Sequence, residues 1–280
     1  MDIELDYFSQ QHWNRVAEAR GTGSCDVGAE LAASLVATVA EAAPRSVLDI
    51  GSGNGALATA LATAIPAARV HGLDYSDAAV RLATETARTQ AAPEVRDRLS
   101  YSVGSAMELP YEDGLFDAVT MLKTAWVLPD LPAALAECHR VLRPGGRLFL
   151  QSWCEPGECV ALTLSGAVLG SAINGFELPD EAMAPFELTA DLVTAELARA
   201  GLPVTDRRTF SRDVVAGTAA EYWENLRSLA GTAYWAFAVQ PPEFKAALDA
   251  SWEELSAEHA DPDGVRRLPL GWHVSVGGRD

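Results

Sequence analysis

The stretch VLDIGSGNGALATALA, Val47 to Ala62, gathers the residues of this chain best suited to hold a small ligand. An apolar run closes on the carboxylate of Asp49, glycines follow at 51, 53 and 55, and an alanine-rich helical pattern begins at once. A glycine turn between a strand and a helix lets a ligand approach the backbone closely and meet N–H donors. Gly51, Gly53 and Ala56 fit the dinucleotide spacing G-x-G-x-x-G/A, which alone is a weak signal. Asp49 is the informative departure, because a carboxylate beside a pyrophosphate repels it, so the ligand should carry a positive group here. Asp74, at the end of the next apolar run, can accept both hydroxyls of a ribose. Its plainer reading is a turn residue ahead of Tyr75 and Ser76. A ribose at Asp74 and a cation at Asp49 describe S-adenosylmethionine better than NAD.

These residues need a sheet to carry them. From Arg45 to about Phe149 short apolar runs alternate with helical patterns, the signature of βαβ units with crossover helices. Strands are expected in RSVLDIG, ARVHGLD, RLSYSVG, LFDAVTMLK and GRLFLQSW, with helices near Gly55–Ile65, Ser76–Thr89 and Leu131–Leu142. Ser76 with Asp77 makes an N-cap, and RPGG at Arg143–Gly146 ends the third helix. The expected organisation is one domain over 1–280: a helical cap at 1–44, a cofactor-binding core at 45–153, lid insertions at 154–188 and 213–262, and a final strand within 263–280. A helix in TADLVTAELARAGL and a strand in PVTDRRTFSRDV lie between the insertions, and GWHVSVGGR is the closing strand.

The composition narrows the partners. A formal net charge of −18 disfavours nucleic acid and anionic membrane, and leaves a small-molecule acceptor. No run of eighteen apolar residues occurs, and the acidic start MDIELDYF is unlike a signal peptide, so a cytoplasmic location is expected. Four cysteines read as free thiols; Cys154 and Cys159 lack the paired CxxC spacing of a zinc site, and no metal is expected. The sequence allows a homodimer without specifying one.

Four ordered blocks, VLDIGSGNG, VHGLDYS, LPYEDGLFDAV and RVLRPGGRLFL, resemble the class I S-adenosylmethionine-dependent methyltransferases, in their small-molecule branch of ubiquinone-type and natural-product enzymes. The resemblance covers about Ser46 to Trp153. It implies an α/β, Rossmann-like seven-stranded sheet whose last strand runs antiparallel, with helical cap and lid insertions. It further implies that Asp49, Gly51, Ser52 and Gly53 line the methionine end of S-adenosyl-L-methionine, that Asp74 holds the ribose, and that Tyr75 packs on the adenine. Relatives commonly carry an acidic residue after the glycine of the third-strand block; here Ser105 follows Gly104, and a serine oxygen can accept the adenine amino hydrogen bond without charge. Ala106 and Met107 would border the ring.

Methyl transfer is an in-line displacement that gains from alignment and dryness, and only some acceptors need a base. His12 and His273 are the histidines best placed for one, though packing is the simpler reading of each; His71, His139 and His259 read as structural. The segment MLKTAWVLPDL places Lys123, Thr124 and Trp126 where this fold presents residues to the methyl group, and Lys123 belongs to both the cofactor and the catalytic candidates. Trp126 either stacks on an aromatic acceptor or closes the core. Trp13 of the cap, Trp126 of the KTAWV loop, and Tyr222 and Trp223 are the candidate acceptor pocket, the last two within an aromatic-rich insertion after Thr218 that also holds Tyr234, Trp235, Phe237, Phe244 and Trp252. The expected activity is methyl transfer to an oxygen or nitrogen of a small, aromatic or apolar metabolite of secondary metabolism. Carbon methylation and a non-methylating S-adenosylmethionine-binding role, regulatory, pericyclic or decarboxylating, are the alternatives. Arsenite chemistry through Cys25, Cys154 and Cys159 and nicotinamide oxidoreduction are remote.

Overall fold

A computed structural model of the protein describes residues 8–21, 26–172, 187–229 and 242–280. Seven strands form one sheet: β1 Ser46–Ile50, β2 Arg69–Asp74, β3 Leu99–Val103, β4 Phe116–Met121, β5 Leu142–Trp153, β6 Val204–Ala216 and β7 Arg266–Gly278. Their order is β3-β2-β1-β4-β5-β7-β6. The first five pair in parallel, while β7 runs antiparallel to both β5 and β6. The order reverses between β1 and β4, and in open α/β sheets a ligand crevice opens at that point, beyond the carboxyl ends of the strands.

Alternation along the strands feeds two apolar layers. Val47, Val70, Ala118 and Phe149 pack on one face, with helices α2 Asp26–Glu41 and α3 Ala56–Ala64. Leu48, Val119 and Leu148 pack on the other, with α6 Leu131–Val141. Burial of both faces explains why β1 and β4 read as almost continuous apolar runs. Helix α4 Asp77–Gln90 starts where Ser76 predicts it, the Ser76 hydroxyl accepting from the Ala79 N–H at 3.0 Å. Helix α6 has a cap the sequence reading passed over: Asp130 accepts from the Ala133 N–H at 2.9 Å. The short α5, Pro93–Arg96, leads into β3.

Two expectations need correction. RPGG does not sit between helix and strand: α6 stops at Val141 and β5 starts at Leu142, so the motif is an irregular start to the strand, with Gly145 at φ 75° and a register shift against β4. The described parts of the expected lids also form a packed layer. Helix α7 Val160–Ala172 lies against β7, α9 Ala219–Leu229 against α2 and β6, and α10 Pro242–Leu255 against α7, while α8 Ala190–Arg199, the helix expected between the insertions, lies against β6 and β7. The aromatic residues of α9 and α10 are spent on this packing. Tyr222, Trp223 and Trp252 are fully buried, the Tyr222 and Trp252 rings lie 5.9 Å apart, and the Tyr222 hydroxyl donates to the Ala161 carbonyl at 3.0 Å. Phe244 packs on the same cluster. Cys25, Tyr234, Trp235 and Phe237 lie outside the described residues.

Candidate functional site

The turn after β1 is built around backbone that only glycine adopts without strain. Gly51, Gly53 and Gly55 have φ of 71°, 55° and 79°. The Gly51 and Ser52 N–H groups both donate to the Leu73 carbonyl, at 2.8 and 3.1 Å, which ties the turn to the end of β2. A Cβ on Gly51 would collide with the Thr124 side chain, and one on Gly55 or Gly72 would collide with the Tyr101 ring. Thus two glycines make room for a phenol under the turn, and a third for a threonine beside it.

Asp74 serves the turn as well as any ligand. Its Oδ2 accepts from the Gly53 N–H at 2.7 Å and its Oδ1 from the Ser76 N–H at 2.8 Å. Each carboxylate oxygen can accept a second hydrogen bond, so the turn role and the ribose role are compatible. Asp49 is 1% exposed. Its Oδ1 accepts from the Thr120 hydroxyl at 2.9 Å, and its Oδ2 has no hydrogen-bond partner. Burial pushes its carboxyl up to about 7; the Thr120 bond opposes the rise and the nearby Asp74 charge adds to it. A buried acceptor without a donor is costly, and a cationic ligand group would relieve it. The Ser52 hydroxyl is likewise buried without a partner.

A cavity of about 480 Å³ opens over this turn. Asp49, Gly51, Ser52, Gly53, Asp74 and Tyr75 all line it, and Ser105, Ala106, Met107, Lys123 and Trp13 join them from other elements. The Ser105 hydroxyl accepts from the Met107 N–H at 3.2 Å, which shapes that wall. Helix α1, Gln10–Arg20, lies alongside: Gln10 donates to the Tyr75 carbonyl at 2.8 Å, and Asn14 bonds Asp77 at 2.6 Å and Ser76 at 2.7 Å.

The remaining sequence candidates lie elsewhere. His12 is buried edge-on to Trp13, with ring centroids 5.2 Å apart, and is not part of the cavity wall. His273 lies within β7, where its Nδ1 is 2.9 Å from the Thr209 hydroxyl; burial and the Arg207 charge lower its pKa. Neither is brought to the glycine turn. Trp126 packs on Trp153 at 5.6 Å and bridges the two apolar layers, so it closes the core. Tyr222 and Trp223 belong to the packed layer described above and do not reach the cavity. Cys154 and Cys159 are buried free thiols whose pKa burial raises, and no metal-binding cluster occurs among the described residues.

On the wall that follows β4 the sequence reading named Lys123 and Thr124, but not Leu122, Val127, Leu128 or Pro129. Leu122, Thr124, Val127, Leu128 and Pro129 line the cavity beside Lys123. Thr124 donates to the Ile50 carbonyl at 3.2 Å, joining this wall to the glycine turn. Lys123 itself has φ 58°, a left-handed conformation that costs a non-glycine residue roughly 1–2 kcal/mol. Its N–H donates to the side-chain oxygen of the buried Gln151 at 3.1 Å. Spacing alone could not reveal this contact between β4 and β5.

Residues 48–150 match the family described as a methyltransferase domain. Over this segment, a little over a third of the chain, the protein is similar to methyltransferases. The 27-O-demethylrifamycin SV methyltransferase of Amycolatopsis mediterranei is 41% identical over 104 residues, 37% of this chain and 37% of that protein. The demethylmenaquinone methyltransferase of Thermus thermophilus is 37% identical over 116 residues, 41% of this chain and 50% of that one. The chain thus spans half or less of the length of these relatives. The solved structure of the YcgJ protein from Bacillus subtilis shares the fold with a TM-score of 0.57 at 18% identity, over 88% of this chain and 97% of the other. The cofactor that a methyltransferase domain of this fold implies is S-adenosylmethionine, and the site fits it: the unpartnered Asp49 oxygen suits an ammonium, Asp74 retains acceptor capacity for a ribose, and Gly53 leaves open space where a side chain would stand. No helix among the described residues is long and apolar enough to cross a membrane.

Proposed function

We propose that the protein transfers a methyl group from S-adenosylmethionine to an oxygen or nitrogen of a small, apolar or aromatic metabolite. The observation that carries the reading is the buried, unpartnered Asp49 oxygen on a glycine-turn cavity whose other carboxylate, Asp74, closes β2. The bound cofactor supplies a methyl group on a positively charged sulfur. Asp49 and the Ser52 hydroxyl would take its amino-acid end, Asp74 its ribose, and Tyr75, Ala106 and Met107 its base, with Ser105 a candidate for the adenine amino group. Helix α1 and the wall after β4 would exclude water and align the acceptor, which is where much of the rate of such a displacement arises.

The rifamycin relative acts, by its name, on the oxygen of a natural product, which favours an oxygen acceptor and secondary metabolism. Carbon methylation is the alternative, and the relative that by its name acts on demethylmenaquinone keeps a quinone as the competing acceptor. Incubation with methyl-labelled cofactor and fractionated extract of the source cells, followed by mass spectrometry of the labelled product, decides both. An oxygen- or nitrogen-methylated small molecule is expected. Tight cofactor binding with no labelled product from any fraction would refute the transfer and favour a non-methylating role.

A further inference from the structure

The proposed function leaves open what kind of acceptor atom the site receives. The wall after β4 narrows this. Leu122, Val127, Leu128 and Pro129 make it apolar, and Lys123 is the only cationic residue lining the cavity among the described residues. The other titratable residues on the lining are Asp49, Asp74 and Tyr75, all part of or next to the glycine turn. The chain as a whole carries a formal charge of −18, so an anion meets repulsion at most of the surface, whereas Lys123 puts a positively charged residue on this wall.

The backbone at Lys123 adds a second observation. A glycine would occupy φ 58° freely, yet a lysine is held there, by the Gln151 oxygen on its N–H and by Thr124 anchored to the Ile50 carbonyl. Gln151 is fully buried, and its side-chain nitrogen has no hydrogen-bond partner, so a buried amide is kept for this turn at a cost. Strain of this kind at a cavity wall points to the side chain that the strain presents.

We propose that Lys123 is a specificity-determining residue for an acceptor that reacts as an oxyanion, a phenolate, enolate or carboxylate on an apolar skeleton. The inference rests on the methyl-transfer reading. An ionised oxygen donates its electron pair to the methyl carbon, the carbon–sulfur bond breaks with its electrons staying on sulfur, and a neutral oxygen ether or ester and a neutral thioether result. No proton has to be removed in the step. An amine acceptor would instead finish as an ammonium beside the Lys123 ammonium, which like charges disfavour.

The test uses the full chain saturated with S-adenosylhomocysteine and three probes of one skeleton: 2-naphthoate, 2-naphthamide and 2-naphthylmethylammonium, titrated by calorimetry. The carboxylate should bind about tenfold or more tighter than the amide, the span of a charge-assisted hydrogen bond, and the ammonium weakest. Lys123→Met should bring carboxylate and amide within about twofold, Lys123→Arg should keep most of the preference, and Gln151→Leu should reduce it. Equal affinity for carboxylate and amide in the wild type, tighter binding of the ammonium, no binding of the carboxylate, or a preference that survives Lys123→Met overturns the proposal. Failure of S-adenosylhomocysteine to bind at all would instead overturn the methyl-transfer reading beneath it.

Discussion

Asp49→Asn separates what this carboxylate costs the fold from what it contributes to the ligand. In the folded protein its carboxyl is raised from 3.8 to about 7, chiefly by burial. A raised acid binds its proton more tightly when folded, so stability falls as pH rises between the unfolded and folded values and is level above the latter. From pH 5 to pH 8 the folded group passes through about two pH units of that slope, or about 2–3 kcal/mol. Asparagine keeps an oxygen for the Thr120 hydroxyl and cannot ionise, so the substitution should gain about that much on the wild type when pH is raised from 5 to 8. Other titrating groups change both proteins alike and cancel in the difference. Urea denaturation of the ligand-free proteins at the two pH values measures it. With S-adenosylhomocysteine added at pH 8 the order should reverse, since only the carboxylate meets the ligand's ammonium as an ion. Wild type and variant losing stability in parallel from pH 5 to 8 would refute the assignment of Asp49 as a buried, ligand-starved acid.

Gly51→Ala should destabilise the protein by about 2–3 kcal/mol, from the left-handed backbone and the displaced Thr124 hydrogen bond, and Thr124→Ala in the same chain should recover part of that in thermal or urea unfolding. Asp74→Ala should weaken S-adenosylhomocysteine by about 1.5–3 kcal/mol, roughly ten- to a hundredfold by calorimetry, because it removes the proposed ribose acceptor and releases the Gly53 and Ser76 N–H groups. Tyr222→Ala should cost about 3–5 kcal/mol of folding stability, as core aromatic truncations do, and leave the acceptor KM of the folded fraction at the wild-type value. A selective rise in that KM with unaltered stability would return Tyr222 to the acceptor pocket.

The cofactor half of this protein is legible in its sequence because its signals are local. An apolar strand, a carboxylate, alternate glycines and a helix start follow one another within sixteen residues, and each is required by backbone geometry or by charge at its own position. The same locality made Asp74, Tyr75 and the Ser76 cap readable, and all of them except the cap line the cavity. The acceptor half was not readable in this way. Tyr222 and Trp223 have the composition of a pocket, but an aromatic residue on an amphipathic helix looks the same whether its face meets a ligand or another helix. Here it meets α7, α10 and the sheet.

The sequence by itself determined the α/β order of elements, the glycine turn and the two carboxylates that flank it, because those depend on neighbours in the chain. Tertiary structure alone decided which residues share the cavity. Thr124 over Gly51, Tyr101 under Gly55 and Gly72, and Gln151 on the N–H of Lys123 each join segments 28 to 73 residues apart. Such contacts follow from how parallel strands stack side by side, and no periodicity along a single strand records which side chain its neighbour will present.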